Sequence, residues 1–272
     1  MENTDRKILV LDIDGTLVNS KKVITPKTRE ALINFQKEGH IVALASGRPF
    51  PGMKAYAEEL ELARYDGYAL SFNGGMVIEC KTGETIYSKC VDKSYAGVLY
   101  DFAISHNLGM VTYQGNKVIT GTRFDDYMEY EARLNYMELK FVENFKDYVD
   151  FDMVKCLFTA PVDIAEKCEK ELAELVGDKL NVFRSEPYFI EVTNNQVDKA
   201  ASLDNLINQL GIPWDNTVCC GDGFNDVSMV KYAKLGVAMD NAQQIVKDNA
   251  DFITGSCDED GLVTVVERIL AD

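Results

Sequence analysis

Apolar and polar positions in this chain follow two rhythms. Ile8 to Leu11 is an unbroken apolar run that stops at Asp12, Ile13, Asp14, Gly15 and Thr16. A run without a polar face predicts a strand covered on both sides, as in a parallel sheet. Thr25-Pro26 then predicts a helix start, with Thr as the cap and Pro in the first turn; Ala31, Leu32 and Phe35 share a face and Gly39 ends it. His40 to Ala45 predicts a second buried strand, ending in Ser46-Gly47-Arg48-Pro49, before a helical pattern through Ala55, Leu60 and Leu62. Strand, helix and strand in this order make a right-handed βαβ unit. Tyr68 to Phe72 predicts a third strand running into Asn73-Gly74-Gly75, and Met76–Cys80 with Thr85–Val91 a hairpin.

From about Asp92 the rhythm breaks. Short strands at Met110–Tyr113, Lys117–Thr120 and Val154–Thr159 are separated by amphipathic helices, one of them from Asp163 to Val176 and closed by Gly177. The aromatic stripe from Tyr127 to Tyr136 reads as core or lid packing in preference to a nucleobase platform. Alternation resumes after Pro187 with a strand at Tyr188–Thr193, a helix opened by Asp198-Lys199 and closed by Gly211, and a buried strand at Thr217–Cys220. Strands at Leu235–Ala238 and Asp251–Ile253 and a helix at Gly261–Leu270 complete it. The expectation is an α/β core with a central parallel sheet, built from residues 1–91 and 187–272, and an α+β domain inserted at 92–186.

Composition narrows the function. A net charge of −16 without a basic block argues against a nucleic-acid groove. No apolar run approaches the roughly 20 residues of a membrane span. Seven scattered cysteines and only two histidines argue for buried thiols in a reducing cytoplasm and against zinc or histidine-base chemistry.

The chemistry gathers at strand ends. Asp12 and Asp14, two apart, share a face beyond the first strand, and Ser46 and Asp222 end two others, so a parallel sheet brings them to one edge. Ionised carboxylates about 5 Å apart repel by roughly 3 kcal/mol at an effective dielectric of 20, so Asp12, Asp222 and Asp226 together call for a divalent cation. Oxygen ligands without histidine favour Mg²⁺. Beside a cation, Ser46 and Lys199 suit the oxygens of a phosphoryl group. A lysine at an open strand–helix junction serves charge more than packing, so its loss should spare the fold.

Leu11-Asp-Ile-Asp-Gly-Thr-Leu17, Ser46-Gly-Arg48, Lys199 before an amphipathic helix, and Gly221-Asp-Gly-Phe-Asn-Asp226 resemble, in order, the four motifs of the haloacid dehalogenase superfamily. The insertion between the second and third resembles, in position and texture, the C2B-type cap of the Cof-like, class IIB phosphatases. The resemblance implies a Rossmann-like core and Mg²⁺-dependent hydrolysis of small phosphomonoesters, such as sugar phosphates, through an aspartyl-phosphate. It implies Asp12 as nucleophile, Asp14 as acid and base, and Ser46 and Lys199 on the phosphoryl group. Mg²⁺ would rest on the Asp12 carboxylate, the Asp14 carbonyl and Asp222, with Asp226 nearby and Asn225 orienting Lys199 or its neighbours.

Two places depart from the branch: Gln196 and Ala200 flank the lysine segment where glycines are common, and Asp240 precedes Asn241-Ala242 where Gly-Asn-Ala is common. Gly47, Arg48, Asn73 and Asn225 are candidate substrate contacts; Arg48 fits a surface ion pair equally well, and Asn73 and Arg123 fit turn or salt-bridge roles. The competing functions are a sugar phosphomutase and a non-hydrolytic phosphate sensor, the latter disfavoured by Asp14 and the insertion. The partner expected is a small phosphorylated metabolite selected by the insertion, with no nucleic acid or membrane, on a monomer or weak homo-oligomer.

Overall fold

The computed structural model describes residues 5–271. Its strands in chain order are β1 (Ile8–Leu11), β2 (Ile41–Ala45), β3 (Tyr68–Ser71), β4 (Met76–Glu79), β5 (Thr85–Ser88), β6 (Gly109–Gln114), β7 (Lys117–Thr120), β8 (Glu138–Phe141), β9 (Cys156–Thr159), β10 (Leu180–Glu186), β11 (Phe189–Asn194), β12 (Thr217–Gly221), β13 (Leu235–Ala238) and β14 (Phe252–Ile253). The chain forms two compact units, Met1–Tyr87 with Asp198–Asp272, and Ser88–Val197.

In the first unit the strand order is β14-β13-β12-β1-β2-β3-β4-β5. From β14 to β3 all neighbours run parallel, and β4 turns back antiparallel to β3. The sheet is covered on both faces, which is why β1 reads as continuously apolar. Leu9, Leu11, Val42 and Leu44 point into one core with Phe35 and Val265; Ile8, Val10, Ala43 and Ala45 point into the other with Leu203 and Leu206. The helices start and stop where their caps dictate. Thr25 accepts from the Thr28 amide ahead of Pro26–Lys37, and Asp198 accepts from the Ala201 amide ahead of Lys199–Leu210, which Gly211 ends in the left-handed conformation. Because β1 lies between β2 and β12, the strand order reverses direction at β1, and a crevice opens beyond its carboxyl end.

The second unit is a sheet ordered β10-β11-β9-β6-β7-β8, antiparallel except for β7 with β8. Leu99, Phe102, Phe158, Cys168, Leu172 and Ile190 pack in its core, drawn from helices Tyr95–Ser105 and Val162–Val176 and from the sheet. The strand at 188–193, expected to reopen the α/β core at residue 187, instead pairs with β9 and β10 in this sheet, so the chain returns to the first unit at Asp198 and leaves it at Ser88. A short apolar run carries no mark of which sheet it joins. Strands β8 and β10 escape a reading by pattern because both are largely exposed edges with few apolar positions. The aromatic stripe is not core: helix Asp126–Leu134 buries Met128 and Ala132, whereas Tyr136 is 76% exposed.

No described helix is long and apolar enough to cross a membrane. All seven cysteines are free thiols, four of them buried. Phe35 is fully buried between the sheet and its helix, so Phe35→Ala should lower stability by about 3–5 kcal/mol in a urea titration. A loss below about 1 kcal/mol would show that this core repacks without it.

Candidate active site

Lys199 is the centre of the site, and it is fully buried. Its Nζ donates to Asp12 Oδ1 at 2.8 Å, to Asp226 Oδ1 at 2.5 Å and to the Ala45 carbonyl at 2.8 Å. All three ammonium protons therefore have acceptors, drawn from the ends of three different strands or their following loops. Burial alone would favour the neutral amine, but the two carboxylates outweigh it and hold the lysine protonated, well above its ordinary range. Asp12 is pushed upward as well, which for a carboxyl disfavours the charged form. Burial raises its carboxyl well above the usual range, Asp226 and Asp222 raise it further, and Lys199 opposes them.

Asp226 uses both of its carboxylate oxygens. While Oδ1 meets Lys199, Oδ2 accepts from the amides of Asp222 and Gly223, closing the Gly221–Asp226 loop on itself. Asp222 accepts from the Thr16 hydroxyl at 2.8 Å and is pushed up to about 6, by burial first and by Asp226, against the Thr16 bond. Gly15 sits at φ +85°, and a Cβ there would lie 2.4 Å from Asp222 Oδ2. Only glycine allows both the turn and this approach. Carboxylate oxygens of Asp12, Asp222 and Asp226 all lie within 4.8 Å of one another. Three acids against one ammonium, all oxygen donors and largely buried, fit a hard divalent cation.

Asp14 turns away from this cluster toward bases. Arg48 grips it with two nitrogens, Nε to Oδ2 and Nη2 to Oδ1, each at 2.9 Å, and Lys22 Nζ reaches Oδ1 at 2.8 Å. Burial raises this carboxyl, but Lys22 and Arg48 together outweigh it and hold it below the usual carboxylate range. Of the two roles open to Arg48, the ion pair is the one observed.

Ser46 is buried at the end of β2, and its carbonyl accepts from the Asn73 amide at 2.9 Å. Asn73 adopts φ 56°, and its Oδ1 accepts from Asn225 Nδ2 at 3.0 Å. Gly47 lies against the Asn73 amide group, where a Cβ would come within 3.2 Å. Gly47, Asn73 and Asn225 thus form one rim between the loops after β2, β3 and β12, and Asn225 meets Asn73 in place of Lys199. Arg123 belongs to the second unit, exposed on a cavity of about 400 Å³ with Phe124, Asp126 and Tyr127. The Thr16 hydroxyl is spent on Asp222. Lys22, in a loop that no spacing marks, was not foreseen as a site residue; Asn241, from the segment compared above with Gly-Asn-Ala, joins the site by donating from Nδ2 to the Gly15 carbonyl at 2.7 Å.

A model of the haloacid dehalogenase-like hydrolases matches residues 9–266. A haloacid dehalogenase-like hydrolase of Bacteroides thetaiotaomicron is 41% identical, with a TM-score of 0.91 over 97% of this chain and 100% of that one. The HAD subclass IIB sugar phosphatase BT4131 is 25% identical, with a TM-score of 0.79 over 96% of this chain and 98% of that one. The 5-amino-6-(5-phospho-D-ribitylamino)uracil phosphatase YcsE of Bacillus subtilis is 29% identical over 267 residues, covering 98% of this chain and 97% of its own.

Burial of Lys199 reverses the expectation that its loss spares the fold. Lys199→Met would leave Asp12 and Asp226 buried without a counter-charge, and should cost about 3–5 kcal/mol in metal-free denaturation. Adding Asp226→Asn should recover part of that loss. An unchanged midpoint for Lys199→Met would mean that the carboxylates are relieved by some other route.

Proposed function

The chain belongs to the haloacid dehalogenase-like hydrolases, and from that premise we propose that it is a Mg²⁺-dependent phosphatase of the Cof-like, class IIB type acting on small phosphomonoesters through an aspartyl-phosphate on Asp12. The observation that carries this reading is the buried Asp12–Lys199–Asp226 triad beside Asp222.

Lys199 commits only Oδ1 of Asp12, which leaves Oδ2 as the nucleophile. Attack by Oδ2 on phosphorus forms the Asp12–phosphorus bond as the bond to the leaving oxygen breaks; Asp14, which Arg48 and Lys22 keep ionised in the resting site, takes up a solvent proton as the phosphate enters and gives it to that oxygen. The Asp14 carboxylate then takes a proton from water, whose oxygen attacks phosphorus and frees Asp12 and inorganic phosphate. Lys199 and the Ser46 hydroxyl meet the negative charge on the phosphoryl oxygens. The residues to hold Mg²⁺ are Asp12, Asp222 and the carbonyl of Asp14, with Asp226 fixing their loop. Bound there, the ion would offset the repulsion between carboxylate and phosphate. Arg48 and Lys22 grip the acid/base carboxylate, so we assign Arg48 to holding Asp14 ahead of direct substrate contact.

Every phosphomonoester shares the phosphoryl group, so none of these residues can choose the leaving group. We assign that choice to the second unit, Ser88–Val197. The substrate class that the relatives' names and the acidic chain support is a phosphorylated sugar or related metabolite.

Phosphate release from an aryl phosphate should stop with EDTA and return with Mg²⁺. Asp12→Asn should abolish it, and Asp14→Asn should slow it about 10²- to 10⁴-fold. Near-normal turnover by Asp12→Asn would remove covalent catalysis from the reading. Replacing residues 88–197 with a short linker should flatten the ranking of a metabolite panel. An unchanged ranking would return specificity to the first unit.

A further inference from the structure

We propose that Asn241 is a positioning residue that braces the turn after the nucleophile strand against the loop carrying Asp222, and so sets the spacing of the metal-binding carboxylates. The proposal rests on the phosphatase reading and adds to it a residue that the chemistry does not touch.

The loop after β13 is tied to two others. The Met239 amide donates to the Gly221 carbonyl at 3.2 Å and the Gln243 amide to the Asp222 carbonyl at 2.9 Å, which fixes this loop on the backbone around Asp222. From the same loop, Asn241 Nδ2 donates to the Gly15 carbonyl at 2.7 Å, and Asn241 Oδ1 accepts from the Cys257 amide at 2.9 Å. An amide N–H can only donate, so Cys257 dictates which end of the Asn241 side chain is oxygen and turns the NH₂ toward Gly15.

The Gly15 carbonyl belongs to the same planar peptide as the Thr16 amide. Holding one end of that plane fixes the direction of the other, and with it the residue whose hydroxyl meets Asp222 at 2.8 Å. The Asp12–Thr16 turn and the Asp222 loop therefore meet through two stitches, Thr16 to Asp222 and Asn241 to Gly15. Between them Gly15 passes so close to Asp222 that a methyl group would not fit. A small rotation of the Gly15–Thr16 peptide would alter both.

Asn241 is itself exposed, so its removal strands no buried group and its effect falls on geometry more than on stability. Outer-sphere partners of this kind typically change metal affinity or activity by about 10- to 100-fold. Asn241→Ala should therefore weaken Mg²⁺ binding to the resting enzyme by about tenfold or more in calorimetry. It should lower kcat for an aryl phosphate by about 10- to 100-fold with KM within about twofold, and leave the melting temperature within about 2 °C. Asn241→Asp, which still accepts from Cys257 but cannot donate to Gly15, should lose kcat as the alanine variant does. Wild-type Mg²⁺ affinity and kcat in Asn241→Ala, or full kcat in Asn241→Asp, would overturn the proposal; so would a kcat loss matched by a fall in melting temperature. If the unmodified enzyme releases no phosphate, the phosphatase reading fails, and the calorimetric comparison still decides the brace.

Discussion

The structure depends on one ammonium group. Lys199 enters the core at the first residue of its helix and holds together Asp12 after β1, Ala45 at the end of β2 and Asp226 beyond β12. An unpaired charge at such depth is prohibitive, and two carboxylates around one ammonium are close to it. The arrangement keeps more negative charge than it neutralises, and this surplus suits a cation. Folding and chemistry draw here on the same contacts.

Around that nucleus the site separates two kinds of acid. Asp12 and Asp222 are pushed up by burial among like charges, whereas Asp14, two residues from Asp12, is held down by Lys22 and Arg48. Both lie just past the end of β1, and their neighbours give them opposite electrostatic surroundings.

Much of this was legible in the chain. The buried strands β1, β2 and β12 announce themselves by unbroken apolar runs, and the Thr25, Asp198 and Gly211 caps stand where sequence rules place them. The clustering of Asp12, Asp222 and Asp226 follows from strands that must be parallel. What stayed hidden has physical reasons. Strand β11 is apolar enough for either sheet, and only its antiparallel partners reveal which one it joins. Lys199 reads as an exposed helix-start lysine because burial of a charge is decided by partners far off in sequence. Lys22 and Asn241 act through loop contacts that leave no periodicity.

The distance along the chain between those partners has a consequence for biosynthesis. Lys199 and Asp12 are 187 positions apart, and Thr16 and Asp222 are 206 apart, with a self-contained sheet between them. A chain emerging from the ribosome carries Asp12 early, but not the ammonium or the carboxylate that surround it in the folded protein. Strand β1 also lacks its neighbour β12 for most of that time. This cluster of charges is thus incomplete until the last third of the chain arrives, and during that interval the second unit is the part able to fold without waiting.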